Sequence, residues 1–239
     1  MSNRISGVLF VAALALVPIE ARAALIVNNG FDADPVSGNF ATVTPTSVFQ
    51  MTGWSVVTSG GNSTASIDLV KAPYWQAHSG PNSVDLFGSS TQQPSFLAQT
   101  FAVGAGEFGR YRLSFFHSVN TDNPMNQGLF ANVVSGTGIG GASVATSPTS
   151  FFYEIPADGS PTKQAMAWKQ SFLDVEFAAA GSYTLWFQGD ARFDNENQGA
   201  ALDSVSLNAA VVPLPAAGWL MLAGLGMVFG LARRRVARN

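Results

Sequence analysis

Cysteine is absent from all 239 residues. Disulfides, thiolate metal centres and a cysteine nucleophile are therefore excluded, and stability has to come from packing or from a bound ion. Histidine is almost as scarce, with His78 and His117 alone. Neither an H-E-x-x-H helix nor a G-x-S-x-G turn occurs, so the usual signatures of zinc proteases and serine hydrolases are missing. Charged residues make up only 11% of the chain, and no apolar pattern of helical period persists for three turns. What is plentiful is glycine, with 24 residues, and short apolar runs rich in β-branched and aromatic side chains. Runs of that kind between Gly, Pro, Ser and Thr clusters belong to strands and turns.

The few charges are unevenly spread. Residues 24–210 hold fourteen acidic and six basic side chains, a net charge of −8, while the other six basic residues sit near the two ends. An acidic region without a basic stripe excludes nucleic acid as an expected partner and leaves carboxylates free for divalent cations. Near the start, Arg4 provides a positive n-region, Ile5–Val17 an apolar h-region and Ala21-Arg22-Ala23 an A-x-A cleavage signal. Residues 1–23 therefore read as an export signal peptide, with mature chain from Ala24.

Residues 211–239 have three parts: Val212-Pro213-Leu214-Pro215, the uncharged run Ala216–Ala232, and Arg233, Arg234 and Arg235. As a helix, the run reaches about 26 Å, near the lower limit for crossing a bilayer. The prolines hold the preceding segment extended, and the arginines are retained on the cytoplasmic side during insertion. The order Val212-Pro213-Leu214-Pro215-Ala216, glycine-rich apolar helix, arginines resembles the VPLPA variant of the PEP-CTERM sorting tail of Gram-negative bacteria. That resemblance implies processing by a membrane-embedded exosortase and association with exopolysaccharide or biofilm matrix. A permanent transmembrane anchor is the other reading of the same residues.

Residues 24–210 are expected to form one all-β domain, an antiparallel sandwich or jelly roll. Strands are predicted at Leu25–Val27, Gly53–Val57, Ala65–Leu69, Ser83–Phe87, Phe96–Phe101, Tyr111–His117, Leu129–Val134, Ser150–Glu154, Lys169–Phe177, Ser182–Gln188 and Leu202–Leu207. Phe115, Phe116, Leu185, Trp186 and Phe187 read as core. Gly136–Thr149 and Pro156–Met166 read as mobile loops from their composition.

A second resemblance runs through the domain. It is carried in order by Asn28-Asn29-Gly30-Phe31-Asp32, Gly53-Trp54-Ser55-Val56, Tyr74-Trp75-Gln76-Ala77, Gly80-Pro81-Asn82-Ser83-Val84-Asp85-Leu86-Phe87-Gly88, Leu97-Ala98-Gln99-Thr100-Phe101, Tyr111-Arg112-Leu113-Ser114-Phe115 and Ala201-Leu202-Asp203-Ser204-Val205-Ser206-Leu207, with a long Gly/Ser/Thr-rich insertion after Val134. This order is similar to the choice-of-anchor C family of exported bacterial proteins, and through it to galactose-binding-like jelly rolls. Asn29 stands where that family usually has glycine, and Asp32 where it has glutamate. The resemblance implies a structural Ca²⁺ held by Asp32 and Asp203, chemistry that suits oxygen ligands.

For glycan binding, which needs a flat ring with amides and carboxylates around it, the Tyr74, Trp75, Gln76 and His78 loop is the first candidate; the other reading makes Trp75 a core anchor and the Asn-rich loops solvated turns. Asn120, Asp122, Asn123 and Asn126 form a second polar loop, and Arg192, Asp194, Asn195 and Asn197 a third. His117 is expected as a hydrogen-bonded rim residue. The expected function is a non-catalytic binding or structural protein of the cell surface or matrix, exported and sorted by its tail through an exosortase-type enzyme, with exopolysaccharide or cell-wall glycan as the candidate ligand. The alternative is a secreted glycan-active hydrolase using two of the carboxylates across a cleft.

Overall fold

The structure is a computed structural model and describes residues 24–58, 65–88, 95–122, 125–157, 159–193 and 198–210. The export signal, the sorting motif Val212–Ala216, the apolar run, Arg233–Arg235, Asn123, Asp194, Asn195 and Asn197 lie outside the described residues.

Eleven strands form: β1 (Phe40–Val43), β2 (Ser55–Val57), β3 (Ile67–Lys71), β4 (Asn82–Asp85), β5 (Phe96–Val103), β6 (Gly109–Ser118), β7 (Gln127–Ser135), β8 (Ser150–Tyr153), β9 (Lys169–Phe177), β10 (Gly181–Gly189) and β11 (Ala201–Ala209). They pair antiparallel into a six-stranded sheet, β1-β3-β4-β11-β6-β9, and a five-stranded sheet, β2-β5-β10-β7-β8. Among the described residues there is no helix, hence none long and apolar enough to cross a membrane.

Strand side chains alternate between faces, so every second residue enters the space between the sheets. Leu113 and Phe115 of β6, Leu173 and Val175 of β9 and Ile67 and Leu69 of β3 meet Leu97 and Phe101 of β5, Leu129 and Val133 of β7 and Leu185 and Phe187 of β10 there, all buried. Phe115 and Phe187 meet edge to face across the core, 5.1 Å between centroids. Burial of each such side chain contributes about 1.5–3 kcal/mol.

Ten of the eleven strands coincide with predicted ones. Leu25–Val27 is not a strand. The Gln99 amide instead accepts the Val27 N–H at 2.7 Å and donates to the Val27 carbonyl at 2.9 Å, replacing a strand partner with one side chain. β1 was not predicted, because its sequence follows a Ser-Gly-Asn turn and shows no alternation. Gly136–Thr149 is not a free loop: Val144 N–H bonds to Val133 of β7, and Glu176 N–H of β9 bonds back to Val144. This insertion thereby laces one edge of each sheet to the other. Phe116 and Trp186 also depart from expectation, since both project from the outer faces rather than into the core.

Candidate functional site

The Tyr74–His78 loop folds over the outer face of the six-stranded sheet, and its aromatic residues part ways there. Trp75 is 2% exposed and packs with Val70, Met166 and Ala201 in a small second core. Of the two sequence readings of Trp75 the core anchor holds and the exposed platform does not: its apolar face is taken up by Met166, which arrives from the distant 159–168 segment. Two backbone contacts hold the cover in place, Gln76 N–H to the Lys163 carbonyl at 2.7 Å and Trp168 Nε1–H to the Gln76 carbonyl at 3.0 Å. Gln76 itself is exposed. Tyr74 is half-buried and donates to Asp122 at 2.8 Å, while the Lys163 ammonium lies 3.7 Å from the Tyr74 ring centroid and 2.5 Å from Asp122. Desolvation opposes that ammonium, yet Asp122 and Tyr74 together hold its pKa above the usual lysine value.

The loop's end builds a different cluster. His78 stacks on Phe116, 3.5 Å between centroids, and its Nδ1 lies 2.8 Å from the Ser204 hydroxyl. Its backbone N–H and that of Ser79 donate to Asp203 Oδ2 at 2.8 and 3.1 Å. Asp32 Oδ1 accepts the Asn82 N–H at 3.0 Å, and a Cβ on Gly80 (φ +67°) would lie 2.0 Å from Asp32 Oδ2, so only glycine lets this carboxylate approach. The fold thus brings Asp32 and Asp203, the pair the family resemblance implies, to one short segment together with His78, which the sequence grouped instead with Tyr74 and Trp75; those two face elsewhere. Burial, with a further contribution from Asp32's charge, pushes the Asp203 carboxyl up to about 7. Each oxygen of Asp203 already accepts an N–H, Oδ1 from Ser204, which makes the residue first of all a clamp on the 78–79 backbone. As a calcium site it offers two carboxylates out of the 6–8 oxygens that ion takes.

His117 is not at the rim. It lies inside, 1% exposed, with Nε2 2.9 Å from the Ser171 hydroxyl, and burial lowers its pKa to about 4, with Lys169's charge adding to the shift.

The outer face of the five-stranded sheet carries side chains that the sequence reading had sent inward or left out. Successive register rows place Ala98, Trp186 and Asn132 in one line and Phe96, Gln188 and Phe130 in the next. Phe96 and Trp186 meet edge to face at 5.1 Å, and Phe152 and Phe193, 39% and 38% exposed, lie 4.8 Å apart beyond them. Arg192 lies over both Phe130 and Phe193, at 5.7 and 5.5 Å, and is held by Asp190 at 2.6 Å. Beside this row runs an open groove of about 610 Å³, whose walls include Gln50, Ser55, Thr100 and Thr184. Strands two apart in a sheet are separated by about 9–10 Å, so Phe96 and Phe130 are spaced rings with an amide between them. The signal for this face was present in Leu185-Trp186-Phe187-Gln188, where strict alternation puts Trp186 opposite the core.

No protein-family model matches the chain, and no curated protein matches it. Solved structures with a similar arrangement include the K1 cleaved adhesin domain of Lys-gingipain from Porphyromonas gingivalis, at 13% identity and TM-score 0.48 over 73% of this chain and 100% of that one. A putative sugar binding protein from Bacteroides thetaiotaomicron is similar at 14% identity and TM-score 0.45, over 79% and 100% of the two chains. The α-L-arabinofuranosidase MgGH51 is similar at 15% identity and TM-score 0.47 over 78% of this chain, which spans 26% of that enzyme's length. The architecture and the site stand on the register and contacts above.

Proposed function

We propose that this is an exported surface or matrix protein whose galactose-binding-like jelly roll binds glycan chains without hydrolysing them. The observation that carries the reading is the outer face of the five-stranded sheet. Apolar rings there (Phe96, Trp186, Phe130, Phe152) alternate with amides (Gln188, Asn132) beside a long open groove. Sugar rings stack on such aromatic faces, and their hydroxyls need amide and hydroxyl partners at the same height. A row of side chains on a rigid sheet holds those partners at fixed spacing, which lowers the entropy cost of binding. Of the buried carboxylates among the described residues, Asp68, Asp85 and Asp203 belong to the opposite sheet, and Asp190, which follows β10, is paired with Arg192 at 2.6 Å.

The test is affinity electrophoresis and reducing-end release on a panel of soluble polysaccharides. Trp186→Ala is expected to weaken binding by about tenfold or more, as loss of an aromatic anchor does, and to lower stability by less than Trp75→Ala does. Undiminished binding by that variant moves the ligand off this face. Turnover that disappears on changing one carboxylate favours the hydrolase alternative.

Delivery to the surface is the second part of the reading, and it rests on the sequence of the two ends. In cells with exosortase-type machinery, intact-mass measurement is expected to find a mature form lacking 216–239, and alanine at Pro213 and Pro215 leaves uncut precursor in the membrane. Surface protein that still carries Arg233–Arg235 would mean a permanent anchor.

A further inference from the structure

Between the Tyr74–Trp75 turn and the outer face of the six-stranded sheet lies a cavity of about 130 Å³. It is remote from the aromatic sheet face, and what lines it is chemically different. From its geometry we infer that this cavity is a second ligand site, taking one sugar ring with a free primary amine, the ammonium against Asp68 and Asp85.

Asp68 on β3 and Asp85 on β4 are direct cross-strand partners, 5% and 3% exposed, and both line the cavity. Like charges opposite one another destabilise a sheet, and burying them adds a desolvation cost. Asp85 is nevertheless held rigidly, Oδ1 by the N–H groups of Phe87 and Gly199 and Oδ2 by the Asn120 amide, at 2.8–2.9 Å. All three donors are neutral, so they orient the carboxyl without supplying a countercharge, and burial, with Asp68's charge adding, pushes its pKa well above the usual carboxylate value. A bound cation in the cavity would favour its ionised form.

A second observation points independently to a ligand. Trp75 also lines the cavity, and its indole N–H, inside a side chain 2% exposed, has no hydrogen-bond partner among the described residues. The buried Gln198 Oε1, on the same wall, is likewise without one. An unmet donor and an unmet acceptor in one cavity are what a hydroxyl group satisfies at once. The indole N–H and the Asn120 amide nitrogen are the wrong partners for a metal ion, which would need six or more oxygens if it were calcium. An ammonium joined to a hydroxylated ring meets the whole set. At the mouth, the ammonium of Lys163 already sits between the Tyr74 ring and Asp122, which displays the same recognition with a protein group. The volume is below the roughly 300–1,000 Å³ of drug-sized pockets, which limits the occupant to one ring.

The experiment is isothermal titration of the full-length protein with glucosamine, N-acetylglucosamine and glucose at one pH, with Trp186→Ala, Asp68→Asn and Asp85→Asn alongside and a melt for each variant. Glucosamine is expected to bind at least tenfold more tightly than the other two sugars, and Asp68→Asn or Asp85→Asn, whichever folds, to remove that preference. Trp186→Ala is expected to leave it intact, so failure of the sheet-face reading and failure of this one are separately visible. Equal affinity for the three sugars, or no binding of any of them, overturns the inference. So does saturable calcium binding that is lost in Asp68→Asn, because the cavity would then be a metal site. If neither aspartate variant folds, Trp75→Phe, which removes the unmet N–H, must weaken glucosamine at least tenfold, and an unchanged affinity overturns the proposal equally.

Discussion

Trp75 is enclosed in a small core, whereas Trp186 is half-buried on an outer sheet face. Trp75 lies in a turn, where sequence allows both an exposed platform and a core anchor, and Met166 and Val70 enclose it. Trp186 lies inside a strand of large apolar residues, where composition points to the core, yet its register with Ala98 and Asn132 turns it outward. Burial decides the cost of removal, so Trp75→Ala is expected to destabilise the protein by about 3–5 kcal/mol, as aromatic truncations in cores do. Chemical denaturation of that variant beside Trp186→Ala checks it. A midpoint for Trp75→Ala close to wild type would put the ring back at the surface. Trp186's position was legible, given strict use of the period of two, because each strand has only two faces. Trp75's sequence context allows both a core anchor and an exposed platform, and what encloses it was not legible, since its partner Met166 lies ninety-one positions further along the sequence and no local pattern reports a contact that distant.

At the level of elements, the strands were legible wherever a run was long and its apolar positions repeated, as in β6, β9 and β10. β1 escaped because four residues on a sheet edge, largely unburied, leave no periodic trace. The 136–149 insertion escaped for a different reason. Its Gly/Ser/Thr composition describes weak local preference, whereas its conformation is fixed by backbone bonds to β7 and β9 at once. At its tip a Cβ on Gly141 would lie 1.8 Å from the Ser135 carbonyl oxygen, and the Ser135 N–H bonds to Ala142 at 2.9 Å. Gly141→Ala must therefore open that turn. It is expected to cost about 1–3 kcal/mol, in the range typical of single backbone-strain substitutions. Native-state hydrogen exchange is expected to show faster exchange at Ser135, Val144 and Glu176 while β3 and β4 stay protected. Unchanged protection at all three amides would mean the insertion is not tied as described.

Across the whole molecule, buried carboxylates gather on the outer face of the six-stranded sheet, where Asp68, Asp85 and Asp203 lie. This face makes folding sensitive to pH. Asp203's carboxyl, raised to about 7 chiefly by burial, binds its proton in the folded state well before it does in the unfolded chain. Its stabilising contribution is thus fully present below the unfolded carboxylate value of about 3.9 and is lost as pH rises through 7. His117 acts in the opposite sense. Its pKa falls to about 4 on burial, so acidification below about 6.5 favours the unfolded chain, which takes up the proton first. Relative to wild type, His117→Asn is therefore expected to grow more stable as pH falls from about 6.5 to 4, and pH-dependent melts of the two proteins check it. We propose calcium between Asp32 and Asp203 as the ion that would hold both carboxylates ionised, relieving the repulsion that contributes to Asp203's shift. Melts in chelator and in millimolar calcium separate this from the clamp acting alone. With calcium at 100 times its Kd, stability at pH 7.5 is expected to rise by about 2.7 kcal/mol, and the gain on acidification to disappear. Asp32→Ala is expected to abolish the calcium effect while leaving Asp203's N–H bonds in place. Identical melts in chelator and calcium at pH 7.5 would sink the ion and leave Asp203 as a backbone clamp. A calcium-dependent rise that survives Asp32→Ala would locate the ion away from this pair.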